Sequence, residues 1–181
     1  MVEKFFDLYF FKSLNNTNDK IKEINITRQT NNIALYSLNQ KTGRGRKGRF
    51  WLSQKGDLTC SILIKKKISI SDIGRVNILI ASILINVFKN LGLANVEFKW
   101  PNDVLINKKK IAGVLIETNV SKNTVNQFTI GIGVNVKSRF TNSNFLSTSF
   151  NDLGIEIESI SLFFLILKNL YFYIENFTKI E

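Results

Sequence analysis

Apolar positions along this chain fall into short runs of two different periods. Phe5–Phe11, Ile33–Leu38, Leu58–Ile64 and Val96–Lys99 are short and rich in aromatic and aliphatic residues, the pattern of strands. Val104–Ile106 and Ile111–Glu117 read as a hairpin across an Asn107–Lys109 turn, with Lys110 leading into the second strand. Gln127–Val136 is a further strand, joined to that hairpin through Ser121–Thr124. Between these runs the spacing changes to that of helices. Asn15–Asn18 supplies N-cap chemistry for a short helix over Asp19–Glu23. Ser71 can cap a long helix from Asp72 to Asn90, stopped by Gly92. Its middle, NILIASILINVF, is apolar nearly all round and is expected to be the most buried helix. Ser159 caps a last amphipathic helix to about Thr178, with Leu162, Leu165, Ile166, Leu170 and Tyr173 on one face. Asn39–Arg49 and Lys137–Ser149 are polar connections. The pattern contains no internal repeat, low-complexity linker or second domain. It predicts an α+β fold, a mixed β-sheet with helices packed on one side.

With 181 residues, 44% of them hydrophobic, the chain can bury one sizeable core, and a single domain over residues 1–181 is expected. Nothing resembles a signal peptide, since Met1–Phe11 carries Glu3, Lys4 and Asp7. The longest apolar stretch, Ile78–Ile85, is shorter than the roughly 18–20 residues of a membrane span. A cytoplasmic protein without a membrane partner is the expectation. The one cysteine, Cys60, excludes an internal disulfide and a multi-cysteine zinc site, and its place in LTCSILI suits a buried structural thiol.

The absence of histidine removes more. Ser-His-Asp and Cys-His nucleophiles, HExxH zinc sites and histidine acid–base catalysis are all excluded. Any chemistry must run on Lys, Arg, Asp, Asn and backbone amides, groups suited to stabilising anionic phosphates. The net charge of +11 comes from 25 basic and 14 acidic residues. The lysines are scattered rather than striped, which reads as compositional drift more than a nucleic-acid surface, and no specific DNA binding is expected. A positive face would still favour acidic carriers and nucleotides in a salt-dependent way.

Two segments concentrate the remaining chemistry. Lys99–Glu117, KWPNDVLINKKKIAGVLIE, holds the only proline, one of two tryptophans and a lysine triplet. Pro101 fixes its own backbone, and Asn102-Asp103 reads as a turn at a strand mouth. A hairpin that brings Lys110 close to Asn102 and Asp103 can handle a phosphate or carboxylate; on spacing alone, an ordinary hairpin with a solvated lysine run is the favoured reading. Gly43–Gly48 matches G-x-G-x-x-G, but basic side chains fill its variable positions and no helix opens after it, so it is not a dinucleotide fingerprint. A loop that orders around an anion, with Arg44 and Arg46 as bidentate clamps, fits better. A short RNA-binding patch and a solvated basic loop remain the other readings.

KWPNDVLI followed by KKIAGVLIE closely resembles the signature of biotin protein ligases, enzymes that charge biotin as an adenylate and attach it to a carrier lysine. Gln40-Lys41-Thr42-GRGRKGRFW and GIGVNV (Gly131–Val136) resemble the same family in the same order. The resemblance implies a catalytic domain like that of biotin and lipoate ligases and class II aminoacyl-tRNA synthetases. It implies biotin and ATP as substrates with Mg2+, and a biotin carboxyl carrier protein as partner; a homodimer is left open. It makes Lys110, Arg44 and Arg46 the catalytic group. Biotin contacts fall to Asn16, Thr17, Asn18, Gln40, Gly43, Arg44, Gly45, Arg46, Lys110 and Gly113. Nucleotide contacts fall to Arg46, Lys47, Arg49, Trp51, Asn102, Asp103 and Asn135. No metal ligand is expected beyond Asp103 acting through a water. Asn16 departs from the family, where a small hydroxyl residue precedes Thr-Asn. Neither the N-terminal winged helix nor the C-terminal β-barrel of many relatives is expected. Two alternatives stay open, a lipoate ligase or lipoyl transferase, and a non-catalytic basic binding module descended from a ligase.

Overall fold

The computed structural model describes residues 2–27, 31–137 and 146–176. The expected strands appear as β1 (Phe6–Phe11), β2 (Asn32–Ser37), β5 (Leu58–Ile64), β7 (Val96–Lys99), β8 (Asp103–Ile106), β9 (Lys109–Ser121) and β10 (Thr124–Val134). Short strands β3 (Gly43–Arg44), β4 (Phe50–Trp51) and β6 (Ile68–Ser69) and a one-turn helix α1 (Val2–Phe5) were not anticipated. The three remaining helices are α2 (Thr17–Thr27), α3 (Ile73–Asn90) and α4 (Ser159–Asn176).

The sheet runs in the order β1-β2-β5-β10-β9-β8-β7, with β6 added beside β10. It is mixed: β1 and β2 pair in parallel, while the other neighbours pair antiparallel. Two hairpins carry its long antiparallel half. Asn107 and Lys108 join β8 to β9, and Lys122 and Asn123 join β9 to β10, all four with positive φ between 48° and 64°. Two-residue hairpin loops need that left-handed backbone at both positions, and asparagine tolerates it well. The first turn is therefore one residue shorter than expected, and Lys109 pairs with Ile106.

The two faces of the sheet have different cover. Ala34, Tyr36, Cys60, Ile62, Ile64, Ile130 and Ile132 join the main core with residues of α3 and α4. Ile33, Leu35 and Leu63 point the other way and pack with Ile21 of α2. The two long helices thus share one face as expected, and the shorter α2 lies on the opposite one. Strand alternation along β2 and β5 sends successive residues to the two clusters in turn. Cys60 is buried, and burial pushes its thiol well above the usual range, as suits a structural role.

The caps differ in detail from expectation. The α3 entry is a 3-10 turn over Ile70–Asp72 in which Ser69, rather than Ser71, accepts from the Ser71 amide. Ser159 is buried at the start of α4, and its hydroxyl meets the Tyr36 hydroxyl at 2.8 Å. Thr178 and residues 138–145 of the expected polar loop lie outside the described residues.

Ile70–Asn90 is long and apolar enough by composition to cross a membrane. Its packing accounts for that apolarity: Val76, Ile80, Ile83, Leu84, Val87 and Phe88 are buried in the core. It is not buried all round, however, because Ile78 remains 51% exposed. Leu84→Ala is expected to cost about 2–5 kcal/mol, and Ile78→Ala about 0.5 kcal/mol or less. Urea unfolding of the two variants measures the difference, and equal losses would contradict the amphipathic placement of α3.

Candidate active site

A β-bulge sets the floor of the site. Asp103 pairs with Gly113 and Val104 with Ala112, but Leu105 then pairs with Lys110, leaving Ile111 as an extra residue on β9. Strict alternation would turn Lys110 away from the face that Gly113 occupies. The extra residue reverses this: Ile111 enters the core, and Lys110 comes round beside Gly113. Its Nζ lies 2.7 Å from Asp103 Oδ1 and 5.2 Å from the Trp51 ring centroid, a cation–π arrangement. Its backbone is held as well. The Lys110 amide donates to Leu146 O, and Lys110 O accepts from the Thr148 amide, both at 2.9 Å.

Gly113 and Gly133 are directly paired across β9 and β10. Together they leave a bare patch on which Trp51 lies. A Cβ at Gly133 would sit 2.2 Å from Trp51 Cε2, and one at Gly113 2.9 Å from Cζ3. Glycine is required at both positions for the ring to seat this close. Trp51 Nε1 is buried without a hydrogen-bond partner among the described residues, an acceptor-seeking group at the centre of the site.

The start of α2 forms the second wall. Asn16 Oδ1 accepts from the amides of Asn18 and Asp19, so this residue is the N-cap of the helix, and its Nδ2 donates to Thr42 O. Gln40 Oε1 accepts from both the amide and the hydroxyl of Thr17. Asn18 Nδ2 donates to Glu117 Oε2, and Ser61 Oγ donates to Asn18 Oδ1. Gly131 lies beneath, where a Cβ would come within 2.6 Å of Asn18 Oδ1.

The two loop arginines have different surroundings. Arg44 donates through Nε to Glu117 Oε1 at 3.0 Å and through Nη1 to Asp19 Oδ2 at 2.7 Å, with Nη2 shared between both carboxylates. Its guanidinium therefore pins the loop to α2 and β9 instead of standing free as the expected anion clamp. The hydrogen bonds it donates to Asp19 and Glu117 raise its pKa above the ordinary value. Burial alone would raise the Glu117 carboxyl, but hydrogen bonds from Arg44, Lys22 and Asn18 outweigh it and hold it at about 2. That contribution to stability is complete above the ordinary value of 4.5 and is lost as pH falls from there through about 2. Arg46, by contrast, is exposed and has no carboxylate partner among the described residues.

These walls enclose a cleft of about 230 Å³. Asn16, Thr17, Asn18, Gln40, Arg44, Gly45, Arg46, Arg49, Trp51, Asn102, Asp103, Lys110, Gly113 and Asn135 all line it. Two expected residues do not. Gly43 is buried against Trp51 O and Gln40 Nε2, and Lys47 is exposed away from the cleft. Asn135 acts on the frame, its Nδ2 donating to Thr148 O at 3.1 Å and to Lys110 O at 3.4 Å. Asp19, Glu117 and Ser61 were missed as candidates. Glu117 was within reach, because it follows Gly113 by four residues on one strand and so shares its face. No group of three or more His, Cys, Asp or Glu side chains that could hold a metal occurs among the described residues.

The model of the biotin/lipoate A/B protein ligase family matches residues 10–135. The bifunctional ligase/repressor BirA of Bacillus subtilis is 34% identical over 101 residues, 55% of this chain and 31% of that protein. The biotin–acetyl-CoA-carboxylase ligase of Paracoccus denitrificans is 34% identical over 102 residues, 54% of this chain and 41% of that protein. The chain thus spans less than half the length of these curated relatives. Among solved structures, a biotin protein ligase from Aquifex aeolicus in complex with biotin and ATP superposes with a TM-score of 0.77 at 26% identity, covering 97% of this chain and 73% of that one. The family match runs from the end of β1 through Asn135 and takes in both the arginine loop and the Lys110 bulge: the chain belongs to the biotin/lipoate A/B protein ligase family.

Proposed function

We propose that this chain is an ATP-dependent biotin protein ligase, which forms biotinyl-5'-AMP and transfers biotin to a lysine of a biotin carboxyl carrier protein in the cytoplasm. One observation carries the reading. A cationic Lys110, turned inward by the bulge, shares a small cleft with the polar α2 entry, Gln40 and Arg46. Such a cleft suits a small polar acid and a nucleotide phosphate meeting at one point. The biotin and ATP in the Aquifex neighbour support the same pair of substrates.

In the first half-reaction a biotin carboxylate oxygen attacks the α-phosphorus of ATP, and pyrophosphate leaves. Two anions must approach, so a fixed positive charge at the meeting point lowers the barrier most. Lys110 fills that role, and the phosphate replaces Asp103 as its neighbour or shares it. Arg46, which also lines the cleft, adds a second charge. In the second half-reaction the carrier lysine attacks the mixed anhydride and AMP leaves. The arginine loop over the cleft keeps water from reaching the anhydride first. Mg2+ would be carried on the nucleotide phosphates and would neutralise part of their charge, and Asp103, which lines the cleft, would hold one of its waters.

Purified protein should exchange pyrophosphate into ATP when biotin is supplied; exchange driven by lipoate instead would assign the site to the other branch of the family. Lys110→Ala is expected to slow adenylation by roughly 10²-fold, and a wild-type exchange rate would remove Lys110 from the mechanism. The arginines should separate in a paired assay. Arg44→Ala lowers the melting temperature because it releases Asp19 and Glu117, whereas Arg46→Ala leaves melting unchanged and slows adenylation.

A further inference from the structure

We propose that Glu117 is a positioning residue of the cleft, orienting Asn18 and anchoring the arginine loop through Arg44. This rests on the reading of the cleft as a biotin site, and it gives a role to the residue that ends the KKIAGVLIE motif, to which none had been assigned.

The side chain is half-buried on β9 and collects donors from two other elements. Its Oε1 accepts from Arg44 Nε at 3.0 Å, and its Oε2 from Lys22 Nζ at 2.8 Å and Asn18 Nδ2 at 3.0 Å. An ionised carboxylate accepts hydrogen bonds and cannot donate them. The Asn18 amide therefore has one allowed orientation, with its NH2 towards Glu117 and its oxygen towards the Ser61 hydroxyl. Turning it over would set its oxygen against the carboxylate. Asn18 is only 3% exposed, so no water compensates for that reversal. Glu117 thus decides which edge of Asn18 faces a ligand.

The same carboxylate reaches the loop. Arg44 lies one residue before Gly45, whose amide donates to Arg49 O; the Arg49 amide donates in turn to Arg46 O. This small turn carries Arg46. Holding Arg44 against Glu117 and Asp19 fixes one end of the turn, so the orientation of Asn18 and the place of the loop depend on one side chain. Lys22 and Asp19, the other charged groups in contact, keep the cluster balanced at two positive and two negative charges.

The test is calorimetric titration of the full chain with biotin, together with amide hydrogen exchange of the ligand-free protein. Gln keeps the volume of Glu117 but turns one acceptor into a donor. E117Q should weaken biotin binding roughly tenfold or more, the effect of one charge-assisted hydrogen bond. Added to N18A it should weaken binding by less than about twofold, because both substitutions break the same contact. In the exchange experiment, E117Q should speed exchange at the Gly45 and Arg49 amides. E117D keeps an acceptor-only group that is one methylene short and guards against a variant that does not fold; it too should bind more weakly than wild type and add little to N18A. Wild-type affinity in both variants, or full additivity with N18A, overturns the positioning role. If the wild-type chain fails to bind biotin, the ligase reading falls, and loop exchange alone then judges the anchor. Unchanged exchange at Gly45 and Arg49 would sink it.

Discussion

The register between β9 and β10 is the constraint on which the rest of the structure depends. It sets Gly113 opposite Gly133, Leu115 opposite Gly131 and Glu117 opposite Thr129 on one face. The alternate positions Ala112, Val114 and Ile116 meet Val134, Ile132 and Ile130 on the face that carries the main core. The same rows continue sideways, since Gly133 pairs with Thr59 and Gly131 with Ser61 on β5, while Gly113 pairs with Asp103 on β8. A one-residue slip would send glycines into the core and isoleucines into the cleft. The apolar face therefore fixes the position of the polar one. Stability and site geometry are specified by a single alignment of strands.

That alignment alone would put Lys110 on the wrong face, and the bulge at Ile111 corrects it. The extra residue is accommodated because Ile111 has a place in the core, and the displaced ladder is repaired by another segment. Leu146 and Thr148 bond to the Lys110 backbone, and Asn135 donates to Lys110 O and Thr148 O. A cation that lines a small cleft needs this kind of support if it is to act at one point, because a long flexible side chain gains little from an approximate position. The bulge supplies direction, and the surrounding hydrogen bonds supply rigidity.

Much of this was legible in the sequence. Alternation and apolar runs located the long strands and helices, and Asn107 and Lys108 fell where a hairpin turn was expected. The cleft gathered most of the residues that the three motifs had marked. What escaped was tertiary in origin. Nothing local in GRGRKGR distinguishes Arg44 from Arg46, because the difference lies in Asp19 and Glu117, which are 25 and 73 residues away from Arg44. Asn16, expected as a ligand contact in place of a small hydroxyl residue, lines the cleft; its carboxamide also caps α2 and straps it to Thr42, tasks that a hydroxyl could share only in part. α2 falls on the face away from α3 and α4 for a similar reason. Its own pattern does not say which side of the sheet Ile21 will meet.

The division of labour between the arginines also gives the loop its character. A glycine-rich basic segment with all its cations free would carry the neighbouring positive charges of Arg44, Arg46, Lys47 and Arg49 over an open cleft, and their repulsion would favour a spread ensemble. Pairing Arg44 with two carboxylates offsets that repulsion at one end, while Arg46, which lines the cleft, has no carboxylate partner among the described residues. Because Glu117 stays ionised until pH approaches about 2, this anchor is intact wherever a carboxylate and a nucleotide would be ionised as substrates. With Arg44 held, only the residues beyond the anchor would have to be ordered around a ligand, and the entropy lost in ordering them would be smaller than for a wholly free loop.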